Sequence, residues 1–152
     1  MLATYATYVM TVLIVAAMVI EARTGKIPNW LTLIPPVMFA IIAFTATDLT
    51  PIWWQLAFAA AVFAFGLFLF TSKVFGAGAV KLMGSVALFM PLVNGFLVTI
   101  AFIVAMLGCT FLVVQIRKVI GSEESDWHVL ANAVVPMSLP IGVTALLTMW
   151  VF

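Results

Sequence analysis

Long apolar runs, separated only by short polar segments, fill this chain from end to end and restrict its fold more than any other feature. A helix needs about 20 predominantly apolar residues to cross a bilayer. Hydrophobic residues make up 66% of the 152 residues and only 7% are charged, whereas a soluble domain has roughly 45–50% apolar residues. The sequence therefore predicts an all-α, polytopic membrane protein with a single domain over residues 1–152.

Charges, prolines and glycines divide the apolar runs into six predicted transmembrane helices. They lie at about 2–21, 30–47, 52–72, 80–91, 95–118 and 131–151, and the fourth is short. This division leaves no room for a soluble domain or a nucleic-acid surface. The first run lacks the basic segment of a cleaved signal peptide, so we expect it to be the first helix of the mature protein.

The basic residues predict the orientation of these helices because they occupy alternate connections. The first connection contains Arg23 and Lys26, Lys73 and Lys81 flank the third, and Arg117 and Lys118 lie at the fifth. Lys and Arg accumulate in cytoplasmic loops. We therefore expect the odd-numbered connections to face the cytoplasm and both termini to lie outside.

Two polar stretches on the predicted cytoplasmic side stand out from their apolar surroundings. The first runs from Glu21 to Thr32 and contains an acid at the end of a predicted membrane helix, which marks a candidate functional site. The second contains Gly76, Gly78 and Lys81. Alternate glycines permit close backbone approach, although a plain turn into a short helix is the alternative interpretation.

Together and in this order, the two stretches resemble the type IV prepilin peptidase family of intramembrane aspartic proteases. Glu21 followed by Lys26 and Ile27-Pro28-Asn29 is similar to that family's first motif. Gly76-Ala77-Gly78-Ala79 followed by Val80-Lys81-Leu82-Met83 is similar to its Gly-x-Gly-Asp motif, and the segment from Pro136 to Gly142 resembles its proline-containing end. The likeness extends over essentially the whole chain.

This resemblance implies six membrane helices in the bacterial inner membrane and an active site that faces the cytoplasm. The implied activity is cleavage of short basic leaders from pilin-like precursors, without a metal ion or cofactor. The chain has no cysteine-bearing cytoplasmic insertion of the kind found in longer, bifunctional members, so N-methylation is not expected. It looks like the short form that is associated with tight-adherence pilus systems.

The resemblance also assigns two catalytic carboxylates to positions 21 and 79, where this chain has Glu21 and Ala79. Aspartic proteolysis uses one carboxylate to activate water and a second, protonated one to polarise the scissile carbonyl. Because Ala79 has no carboxyl group, we expect the chain to be inactive. Its origin stays open between a deliberately disabled enzyme and a natural pseudo-peptidase that binds pilin-like helices or a sister peptidase.

Glu21 also has a purely structural interpretation. In that interpretation it forms an ion pair with Arg23, Lys26 or Lys81, while Asn29 and Thr32 cap the second helix.

Two other residues offer weaker signals. His128 and Cys109 have no second histidine or cysteine to complete a metal site, so we interpret them as an interfacial and a packing residue. A transporter or channel subunit is a weaker alternative, because only Glu21 and Lys81 place charge near a predicted helix in a way that suits an ion path. Homo- or hetero-oligomers are compatible with the sequence.

Overall fold

A computed structural model describes residues 2–45, 50–73, 75–90, 95–121, 125–132 and 134–151. Over these ranges all regular secondary structure is helical, which confirms the all-α prediction. The helices are α1 (Leu2–Thr24), α2 (Asn29–Thr45), α3 (Thr50–Thr71), α4 (Ala77–Ala87), α5 (Gly95–Ile120), α6 (His128–Ala131) and α7 (Ser138–Val151). Six of them correspond to predicted helices, and α6 is an additional single turn.

Three helices are long and apolar enough to cross a bilayer by length and composition: α1, α3 and α5. The apolar helices α2, α4 and α7 are shorter. The number of spans and the side on which the termini lie therefore stay predictions. Asp48, Pro91 and the acidic pair Glu123 and Glu124 lie outside the described residues.

The first helix continues past its predicted end at residue 21 to Thr24. Gly25 ends it in the left-handed conformation, with φ of 70°, which glycine adopts without steric cost. The Gly25 N–H donates to the carbonyl oxygen of Glu21 at 2.8 Å. Glu21 therefore lies in the last turn of α1 and not in a loop.

Proline shapes the packing of α2 against α4. Pro36 lies inside α2 and has no N–H, so the Thr32 carbonyl one turn earlier lacks its usual helical donor. The Ser85 hydroxyl of α4 donates to that oxygen at 2.6 Å. A side chain of a neighbouring helix thus satisfies the backbone group that the proline leaves free, as membrane interiors require.

The fourth helix is short but lies at the centre of the fold. It begins at Ala77, three residues before its predicted start, because extended Gly76 precedes it and accepts a hydrogen bond from the Val80 N–H at 3.2 Å. It ends at Ala87 and not at residue 91. Beyond that end, the Gln55 side-chain amide of α3 donates to the Met90 carbonyl at 2.7 Å. The helix packs against α2, α3 and α7 and is buried over most of its length.

The last predicted helix is interrupted. The chain forms α6, residues 134–136 have no regular secondary structure, and α7 begins only at Ser138 instead of residue 131. Pro136 explains the break, since it lacks an N–H and disfavours helical backbone at the residue before it. Arg117 of α5 holds this segment by donating to the carbonyl oxygens of Val129 at 3.1 Å and Val134 at 3.0 Å.

Candidate active site

A cavity of about 310 Å³ lies where the end of α1 meets the start of α4. Its lining comes from both polar stretches: Glu21, Gly25, Lys26 and Ile27 from the first, and Gly76, Ala77, Gly78 and Ala79 from the second. The two segments are almost 50 residues apart in the sequence at their nearest ends, Ile27 and Gly76. The fold nevertheless brings positions 21 and 79 to one cavity, which is the geometry on which a two-carboxylate site would depend.

Two glycines allow the walls of this cavity to approach closely. A Cβ atom at Gly78 would lie 3.0 Å from the Cβ atom of Ile27, so the start of α4 sits directly against the first stretch. A Cβ atom at Gly25 would lie 2.7 Å from the imidazole of His128. Gly76, by contrast, has open space around it and an ordinary φ of −78°. Its role in the motif is therefore not explained by packing.

The acid at position 21 has a partner that the sequence did not predict. Glu21 is half-buried, and its Oε2 atom accepts a hydrogen bond from the backbone N–H of Ser138 at 2.6 Å. Ser138 is the first residue of α7, where backbone N–H groups have no partner within the helix. A carboxylate at a helix N-terminus also interacts favourably with the helix dipole. Glu21 thus caps α7 from a different helix.

The predicted ion-pair partners of Glu21 make other contacts. The guanidinium of Arg23 lies over the ring of Trp127, 4.9 Å from its centroid. The Lys81 ammonium donates to the side-chain oxygen of Asn29 at 2.9 Å. Lys26 is exposed and lines the cavity with Glu21. The structural role of Glu21 therefore comes from a backbone donor of α7 and not from the expected cation.

The predicted capping of α2 is also wrong. Asn29 is the first residue of the helix, and its side chain is engaged with Lys81, since an ammonium gives a stronger, charge-assisted hydrogen bond than a neutral donor. The Thr32 hydroxyl donates to the Asn29 carbonyl at 2.9 Å and so acts as a donor within the helix. Pro28 precedes the helix, and its carbonyl accepts the Leu31 N–H at 3.2 Å.

Ala79 lies in the first turn of α4 and is only 2% exposed. Among the residues that line the cavity, Glu21 is the single acid, and Lys26 is the single base. Within the described part of the chain, no group of three or more His, Cys, Asp or Glu residues is arranged to bind a metal ion. The described lining of the cavity therefore contains one carboxyl group and not the two that aspartic proteolysis requires.

Sequence reasoning missed the contributions of Ser138 and His128. Ser138 is 117 residues from Glu21 and acts through its backbone N–H, which no side-chain pattern reveals. The only available signal was the proline-containing segment around it, which the family resemblance had already selected. The structure places the ring of His128 against Gly25 at the end of α1, and its interfacial position stays a prediction.

Together, the fold and this cavity define a helical membrane protein with an acid at the junction of two polar motifs. The family model of the type IV leader peptidase family matches residues 8–114, well over half of the chain. The chain therefore belongs to the type IV leader peptidase family, which confirms the resemblance found in the sequence. The match includes positions 21 and 79 and ends before Ser138. No curated protein and no solved structure matches the chain.

Proposed function

We propose that this protein is a prepilin leader peptidase-type protein that binds the basic leaders of pilin-like precursors at the cytoplasmic face of the bacterial inner membrane. The observation that carries the proposal is the convergence of both family motifs on one cavity, with Glu21 and Ala79 in its lining. The alternation of basic connections supports six spans with both termini outside. The absence of a cysteine-bearing insertion between the helices supports the short, tight-adherence form.

In its present sequence the protein does not cleave the precursor. An aspartic peptidase needs a protonated carboxyl group to polarise the scissile carbonyl while the other carboxylate activates water. Position 79 supplies only a methyl group. Loss of one member of a catalytic unit lowers kcat by about 10⁴-fold or more, and none of the described residues in the lining is a second acid that could replace it.

The second candidate is a non-catalytic assembly or binding factor for pilin-like helices or for a sister peptidase. The hydrogen bond between Glu21 and the Ser138 N–H favours it, because it gives the remaining acid a structural purpose. Both candidates share the peptide-binding cavity. They differ in whether the parent scaffold can still support proteolysis when its carboxyl groups are restored.

Restoring the carboxyl groups separates the two candidates. Ala79→Asp, alone and combined with Glu21→Asp, would be produced in membranes together with a pilin-like precursor, and leader removal would be measured from the change in precursor size. Ala79→Asn is the matched control, because it has nearly the same volume without the carboxyl group. Cleavage by the double variant but not by Ala79→Asn supports the peptidase scaffold. A folded double variant that retains the precursor without cleaving it supports the binding factor.

A further inference from the structure

A lateral groove runs along the outside of the bundle between α2 and α3, with α4 as its floor. Two adjoining cavities form it, with volumes of about 710 Å³ and about 450 Å³. They share Pro36, Leu56 and Leu88, so the second continues the first. The groove begins beside Asn29 and Lys81 and reaches Phe44 and Trp53 at the opposite end.

The floor of the groove is one stripe of α4. Lys81, Gly84, Ser85 and Leu88 line it, and their spacing of three or four residues places them on one helix face. Ala59 and Ala60 of α3 lie beside this stripe. Small residues let a neighbouring helix approach closely in a membrane. The surface is therefore shaped for a helix backbone.

The length of the groove distinguishes a helix from a lipid. The 17 residues of α2, which form one wall, rise about 25 Å, close to the ~30 Å of a hydrocarbon core, whereas one acyl chain fills a single leaflet of about half that thickness. An occupant that extends from the Asn29 end to the Phe44 end must cross most of the membrane. An apolar transmembrane helix has that length.

The charge of the groove is confined to one end. Lys81 is exposed and uses one of its three donors for Asn29, while the residues at the Phe44 end are apolar. Lys81 is only two residues after Ala79, which lines the candidate active site. A helix in the groove therefore ends beside the cavity, with a cation available to an acidic or carbonyl group of that helix.

We propose that this groove binds the apolar helix of the pilin-like precursor and so delivers the adjoining leader to the cavity between α1 and α4. The inference rests on the proposed function and adds the path of the substrate helix. The wall of α3 supplies a matched pair of positions for testing it. Ala60 lines the groove, whereas Ala61, the next residue of α3, is rotated by about 100° around the helix, is exposed and lines neither of the two cavities of the groove.

The test replaces Ala60 or Ala61 by the photo-reactive residue p-benzoylphenylalanine in the full chain, co-produced with a pilin-like precursor in bacterial membranes. After illumination, we expect cross-links to the precursor helix from position 60 and at least about tenfold fewer from position 61. Ala60→Phe should lower co-purification of the precursor about tenfold, equivalent to about 1.4 kcal/mol in binding, and Ala61→Phe should not change it.

Other results would overturn the proposal in recognisable ways. Equal cross-linking from both positions, or a precursor that co-purifies but cross-links only from position 61, removes the groove and leaves the proposed function intact. Cross-links from position 60 only to lipid, or only to a second copy of this chain, assign the groove to those occupants. A precursor that neither co-purifies nor cross-links anywhere contradicts the proposed function and the groove together.

Discussion

The hydrogen bond from Ser138 to Glu21 predicts a specific loss of stability when the acid is changed. A hydrogen bond to a charged group contributes about 1.5–3 kcal/mol, and Glu21 is half-buried, so Glu21→Ala should lower the free energy of unfolding by about 2 kcal/mol. Glu21→Gln keeps an oxygen acceptor but removes its charge, which should roughly halve the contribution of this hydrogen bond to stability. Glu21→Asp withdraws the carboxylate by about 1.5 Å, one carbon–carbon bond, and should cost as much as alanine.

Thermal unfolding in detergent measures these differences. For a chain of this size, 1 kcal/mol shifts Tm by about 2–4 °C, so we expect a decrease of about 4–8 °C for Glu21→Ala and half of that for Glu21→Gln. Ser138→Pro removes the donor, and proline is accepted at the first position of a helix. Ser138→Ala is the control, since it keeps the backbone N–H.

The decisive comparison is between backgrounds. In the Ser138→Pro protein, Glu21→Ala should lower the free energy of unfolding by at least about 1 kcal/mol less than it does in the unmodified chain. The reason is that substitutions of residues in direct contact have coupled effects on stability. In the Ser138→Ala protein it should cost the full amount. Equal losses of stability in all three backgrounds would refute the assignment of Glu21 as the cap of α7.

Two further predictions concern residues that pack the helices together around the site. Gly25→Ala should lower the free energy of unfolding by about 2 kcal/mol or more, because alanine is strained at positive φ by about 1 kcal/mol and its Cβ atom would lie 2.7 Å from the His128 ring. Gly76→Ala, which has open space, should change it by less than about 0.5 kcal/mol; similar melting temperatures for the two variants would contradict this explanation. Ser85→Ala should lower the free energy of unfolding by about 1–3 kcal/mol, because it leaves a buried carbonyl of α2 without a donor. Ser85→Thr should retain most of the stability if its hydroxyl keeps the same direction. Thermal unfolding distinguishes the two variants.

The sequence predicts the helices well because lipid imposes a simple rule of length and hydrophobicity. Their ends are less predictable, since a helix can continue through charged residues at the membrane boundary. Residues 21–24 illustrate this, because α1 includes both Glu21 and Arg23. The late start of α7 was missed because the segment before it is apolar, and hydropathy alone does not register the effect of Pro136 on the backbone.

The meeting of the two polar stretches follows from their family resemblance and not from any local pattern. The resemblance also assigns the catalytic carboxylates to positions 21 and 79, which stays a prediction. It could not supply the partners of Glu21 and Asn29, because each of them depends on a contact between distant helices. Ser85 shows the same limit, since its hydroxyl contacts a carbonyl that is free only because of a proline on another helix.

The contact between Ser138 and Glu21 predicts how acids at positions 21 and 79 would affect each other if position 79 carried one. Two close carboxylates cannot both ionise without cost, so an acid at position 79 would favour a shared proton between the two side chains. The acid at position 21 could then not both face position 79 and accept the hydrogen bond from the Ser138 N–H. With Ala79 that competition is absent, and the longer glutamate reaches the start of α7. For the restored variants this implies an order: Ala79→Asp alone leaves Glu21 held by Ser138, whereas adding Glu21→Asp frees the carboxylate to face position 79. We therefore expect the double variant to cleave the precursor faster than Ala79→Asp although it is less stable, and the opposite order would show that the Ser138 contact does not hold the acid away from the reaction.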